Sequence, residues 1–199
     1  MTARPEDVPG ELRRDLDSIR ANTTLSTQAK KTRIAQAYIA AKGEQQQRLA
    51  TIATEKATRK RTLERRLFGS QTPLGATNEA QAAIEASYRQ ALDRASQTTT
   101  EAERAALLER AELVGDEPLA RAVAAVAFAA AEDTVVNLWL NTRPSLDGAA
   151  NELWTATHGA SAATADASWH LANALDPPAE LDGAGEYTIR ELARQEQTA

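Results

Sequence analysis

The chain has 199 residues, of which 42% are hydrophobic, a net charge of −5 at pH 7 and no cysteine. The missing thiol excludes disulfides and cysteine catalysis, and leaves only histidine and carboxylates as metal ligands. Forty-three residues are alanine, the best helix former but a poor contributor of buried area, so the composition predicts an all-α protein with a thin core and no strands.

The charge is segregated along the chain. Residues 1–27 sum to −1, residues 28–68 to +8 and residues 69–199 to −12, which predicts a long basic N-terminal helical arm and an acidic, alanine-rich helical bundle or hairpin body. Five segments are expected: a short N-terminal helix within 1–27, the arm over 28–68, a linker over 69–77, the body over 78–176, and an acidic loop with a short terminal helix over 177–199. Residues 1–10 are polar and lack the apolar core of a signal peptide, so the expected location is cytoplasmic.

From the N-terminus, ELRRDLDSIR after Pro9-Gly10 places Leu12, Leu16 and Ile19 on one face, the spacing of a short amphipathic helix. Ser26 is the expected N-cap of the next helix, which runs to Phe68 over about 60 Å. Its polar seam leaves two readings, a solvated helix packed along one edge or a coiled-coil or partner-binding arm, and Gly43 is the candidate hinge. The run GSQTPLGAT at 69–77 reads as a linker. Asn78 with Gln81, and Thr100 with Glu103, have the spacing of capping boxes that start two further helices.

Residues 117–141, EPLARAVAAVAFAAAEDTVVNLWLN, are apolar on nearly all sides. They predict one enclosed helix of about 37 Å, capped by Asp116, too short in its uninterrupted apolar stretch to span a bilayer, and ended before Pro144. Residues 145–176 are expected to be helical, broken near Gly159, and to form a close antiparallel hairpin with the central helix. At the C-terminus Thr188 and Glu191 match a capping box, with Tyr187 and Leu192 as its hydrophobic staple. That terminal helix is either a docking segment or a helix folded back on the body.

Nucleotide-binding, hydrolase and zincin motifs are absent. Asp166 and His170, at i and i+4, make a poor metal site on their own, and an enzyme built on Glu132, Asp133 and His170 is the least favoured class. Trp139, Trp154 and Trp169 read as core anchors. If the central helix is enclosed, Glu132 and Asp133 require arginine partners, for which Arg121 and Arg143 are the candidates; otherwise they mark its exposed edge.

The stretches EDVPGELRRDLDSIRANTTLSTQAKKTRIAQAYIAAKGEQQQRLA and GDEPLARAVAAVAFAAAEDTVVNLWLNTRPSL resemble helical proteins of the structural gene modules of actinobacterial phages and prophages. The resemblance implies a role in virion assembly, scaffold-like or head-associated, with residence in the host cytoplasm or the virion, and it transfers no catalytic residue. Scaffolds of this kind dock through basic terminal helices; here residues 188–199 carry two arginines and two glutamates. The sequence therefore predicts a non-enzymatic helical assembly or interaction protein, without cofactor or membrane partner, that binds a protein partner or itself. Arg59, Lys60, Arg61, Arg65, Arg66, Tyr187 and Leu192 are the candidate partner-binding residues. The alternative is a nucleic-acid-associated protein using residues 28–68, although Tyr38 and Phe68 are the only aromatics there to stack on bases.

Overall fold

The computed structural model describes residues 7–73, 75–159 and 174–195. Among these the secondary structure is entirely helical: α1 (Asp7–Ala21), α2 (Thr27–Phe68), α3 (Asn78–Ser96), α4 (Glu101–Val114), α5 (Glu117–Ala129), α6 (Asp133–Leu140), α7 (Asp147–His158) and α8 (Glu186–Arg194), with 3₁₀ turns at Pro144–Leu146 and Ala179–Leu181. The all-α class is as the composition predicts. No helix of the described residues is long and apolar enough to cross a membrane. The chain forms two compact units, Met1–Lys56 with Thr164–Ala199, and Ala57–Ala163. The stretch 69–77 lies inside the second unit, whereas the sequence suggested a boundary there.

In the first unit, α1 buries Val8, Leu12 and Leu16, at the helical spacing read from the sequence. The helix starts at Asp7, earlier than expected. Pro9 falls within the first turn, where its missing N–H would have had no intrahelical acceptor, so it does not delay the start. The core joins Leu12 and Leu16 to Ile34, Ala35 and Tyr38 of α2, and to Leu181 and Ile189. Ser26 caps α2 by accepting from the Ala29 amide at 3.1 Å, and α2 is continuous through Gly43.

The second unit is built around α5, which packs against α3, α4 and α6. Ala120, Ala122, Ala124 and Ala127 are buried along α5 together with Leu119, Val123 and Phe128, so the small side chains let neighbouring helices approach. The last turns of α2 contribute Leu63, Leu67 and Phe68 to this core, and α6 and α7 contribute Val135, Trp139 and Leu153.

Residues 117–141 are two helices, a correction to the single helix expected. Ala131 takes the left-handed φ of 59°. The Ala131 amide bonds to the Phe128 carbonyl at 3.0 Å, and the Glu132 amide to the Ala127 carbonyl at 2.9 Å. This is a Schellman closure, with alanine where glycine would be unstrained. α4 ends the same way on Gly115 (φ 71°): the Gly115 amide reaches Glu112 and the Asp116 amide reaches Ala111. The segment that follows residues 117–141 packs back on this region, with Trp154 and His158 of α7 against Phe128, while α3, α4 and α6 make the nearest backbone neighbours of α5. α7 ends at His158, close to the break expected at Gly159. The remainder of that expected helix, with Asp166, Trp169 and His170, lies outside the described residues except for 174–176, which are not helical.

Caps differ in detail. Thr100 and Glu103 form the capping box that was read from the sequence. α3 is capped by Thr77, which accepts from the Ala80 amide, in place of Asn78. α8 starts at Glu186 after Gly185, without a side-chain cap, so Thr188 lies inside the helix and the expected box does not form.

Candidate functional site

The last three turns of α2 carry five cationic side chains because Leu63, Leu67 and Phe68 are the positions buried in the core there, leaving the others free to be polar. Arg59 is exposed and grips Glu152 of α7 with two charge-assisted hydrogen bonds, Nε to Oε1 and Nη2 to Oε2, both 2.6 Å. The hydrogen bonds to Glu152 raise the Arg59 pKa, and those from Arg59 lower the Glu152 pKa. Lys60 is half-buried and lies 4.0 Å from Glu64. Arg61, Arg65 and Arg66 are exposed, and among the described residues none of their guanidinium groups has an ion-pair or hydrogen-bond partner. Arg61 and Arg65 share one face at i and i+4, and Arg66 extends it. Gly69 ends the helix directly after: a Cβ there would come within 2.4 Å of the Arg65 carbonyl oxygen.

Of the other two candidates, Tyr187 is 77% exposed, and Leu192 packs against the core of the first unit. They do not form a staple, and both belong to α8, folded against that unit through Ile189. The five basic positions and these two are therefore separate sets.

The acidic residues have structural partners that the sequence did not identify. Glu132, 14% exposed, pairs with the 8% exposed Arg104 of α4, with Nε of Arg104 donating to Oε2 at 2.6 Å. Nη1 of the same guanidinium donates to the Thr98 carbonyl at 2.8 Å. The hydrogen bonds to Glu132 raise the pKa of Arg104 despite its burial. Neither Arg121 nor Arg143 takes this role: Arg121 donates to Glu117 and to the Leu67 carbonyl, and Arg143 bonds Glu112 and Glu117. Both guanidinium groups lie against the Trp139 ring, at 5.9 and 5.1 Å. The partner of Glu132 is 28 positions upstream, and no local spacing announces it. Asp133 is exposed at the first turn of α6.

Trp139 is fully buried, and Trp154 packs edge-on to Phe128 with ring centroids 5.3 Å apart. His158 stacks beside both rings, and its Nε2–H donates to the Phe128 carbonyl at 2.8 Å. These aromatic groups are core. Among the described residues no cluster of histidine and carboxylates is arranged to hold a metal ion. A shallow groove of about 340 Å³ between α6 and α7 is lined by Asn137, Leu140, Asn141, Pro144, Asp147 and Asn151, with one carboxylate and no histidine.

No family model matches the chain, and no curated protein or solved structure matches it either.

Proposed function

We propose that this chain is a non-enzymatic helical interaction protein whose exposed arginines Arg61, Arg65 and Arg66 engage an acidic surface on a protein partner. The observation that carries the reading is that these three guanidinium groups are exposed and have no partner among the described residues, while the neighbouring Arg59 already holds a carboxylate in bidentate geometry. A guanidinium presents a planar fork that fits carboxylates two bonds at a time. Three on adjacent turns would recognise an acidic helix or strand edge, and their attraction would steer encounter more than it would set the lifetime of the complex. The resemblance to phage structural-module proteins supports a part in virion assembly, scaffold-like or head-associated.

The test is fluorescence anisotropy with two labelled probes, a glutamate- and aspartate-rich helical peptide and an unrelated DNA duplex. Wild-type protein is expected to bind the peptide more tightly than the duplex, with affinity falling as salt shortens the Debye length from about 10 Å at 0.1 M. Arg61→Glu/Arg65→Glu/Arg66→Glu is expected to lose the binding. Tighter binding to the duplex, abolished by the same triple variant, would replace this reading with a nucleic-acid one. An unchanged affinity of the triple variant for the peptide would remove the arginines from it.

A further inference from the structure

Leu113 and Val114, at the end of α4, are 86% and 70% exposed. They stand out because α4 otherwise distributes its side chains by helical period: Arg104, Leu108 and Ala111 are buried against the core. Projected at the helical spacing, the opposite face carries Ala102, Ala106, Glu109 and Leu113 in one row, with Arg110 and Val114 beside it. All six are exposed. Glu109 and Arg110 form no ion pair or hydrogen bond through their side chains among the described residues. Among the described residues this face of α4 thus has no partner.

We propose that this face is covered by the same face of a second copy, in an antiparallel, two-fold pairing of α4 with α4. Size and charge along the row argue for this occupant. Its N-terminal half has the small residues Ala102 and Ala106, and its C-terminal half has the large Leu113. Antiparallel pairing brings the leucine of each copy over the alanines of the other, so knobs meet holes on both sides of the axis. Near the middle stand one acid and one base, Glu109 and Arg110, and the same pairing brings each toward its opposite in the second copy. A face that is complementary to itself in both respects meets the requirement of an isologous contact, in which one patch serves both subunits. Its contact area is limited to one helix of fourteen residues per copy, so the pairing belongs with small, concentration-dependent interfaces. The arginines of α2 take no part in it.

Sedimentation velocity over a protein concentration series from about 1 to about 300 μM tests the proposal, a range suited to a weak interface. The wild-type mass is expected to rise from one chain toward two. Leu113→Glu, a change at an exposed position, is expected to stay at the mass of one chain throughout while keeping the wild-type circular dichroism and melting temperature. Glu109→Arg and Arg110→Glu are each expected to weaken the dimer at least tenfold, and the exchanged double variant to regain most of that loss. The Arg61/Arg65/Arg66 triple variant is expected to dimerise as the wild type does, which separates this proposal from the one above. A wild type that keeps the mass of one chain at every concentration overturns the pairing. So does a dimer that Leu113→Glu leaves intact, or an assembly that grows beyond two.

Discussion

Replacing Glu132 with glutamine probes the most deeply placed ion pair of the second unit. The Arg104 guanidinium is 8% exposed and makes charge-assisted bonds to both Glu132 oxygens and a third bond to the Thr98 carbonyl. Glu132→Gln removes the negative charge and turns one acceptor into an N–H donor while keeping the shape, which leaves a buried cation with only neutral acceptors, the amide oxygen and the Thr98 carbonyl. Breaking a buried pair from one side costs about 3–5 kcal/mol. Glu132 retains 14% exposure, so water compensates in part, and we expect about 2–4 kcal/mol. Arg104→Met/Glu132→Leu removes both charges and should cost about 1 kcal/mol or less, because the desolvation penalty disappears with the pair. The cycle closed with Arg104→Met and Glu132→Leu as the single variants, measured by urea unfolding followed by circular dichroism, should then give a coupling of about 3 kcal/mol. A loss below about 0.5 kcal/mol for Glu132→Gln, a size typical of surface substitutions, would refute the reasoning. Additive single-variant losses would refute it as well, since they would mean that the two charges do not depend on each other.

Two further predictions concern the same unit. Ala131 and Gly115 occupy equivalent left-handed closing positions with φ of 59° and 71°, so Ala131→Gly should stabilise by about 0.5–1 kcal/mol and Gly115→Ala should destabilise by about 1 kcal/mol. Shifts of the same sign in the two variants' urea midpoints would show that conformational strain is not what separates these positions. Burial pushes the Glu117 pKa up, but the hydrogen bonds from Arg143 and Arg121 outweigh it and hold the carboxyl below its ordinary value of 4.5. A depressed folded-state pKa contributes stability that is present above the unfolded value and is lost as pH falls through the folded one. Unfolding free energy should therefore drop between about pH 5 and about pH 3, and less steeply for Glu117→Gln; parallel profiles for the two proteins would exclude Glu117 as a contributor.

What the sequence reveals follows from how local each determinant is. Leu12 and Leu16 advertise their face by helical period, and the Thr100–Glu103 box is complete within four residues, so both were legible. The break at Ala131 was not. Residues 122–131 are nearly all helix formers, and nothing in a run of alanines marks the one that takes a left-handed φ. That turn is set by tertiary demands, because it presents Glu132 to Arg104 and directs α6 so that Val135 and Trp139 reach the core. The terminal capping box misled for a related reason. Glu186 holds Lys42 and Arg190 at the first turn of α8, and the helix extends over Tyr187 and Thr188 to that residue.

The charge of residues 28–68 needs a different treatment, because a net sum over a stretch of sequence is not a surface. Arg48 lies against Glu44 and Glu11, Lys42 against Glu186, and Arg59 against Glu152. Three of these four carboxylates come from distant segments, each within the same unit as its base. Contacts of this kind are individually weak where exposed, yet together they remove much of the positive potential that the sum implied. Among the described residues Lys31, near the start of α2, also keeps an unpaired charge, and the cluster that keeps its charge is Arg61, Arg65 and Arg66. An interface read from composition would have spanned the whole of α2. Read from the pairing, it shrinks to about one and a half turns at its end. That length matches recognition of a short acidic segment better than the tracking of a long polyanion, whose affinity grows with the number of phosphates neutralised.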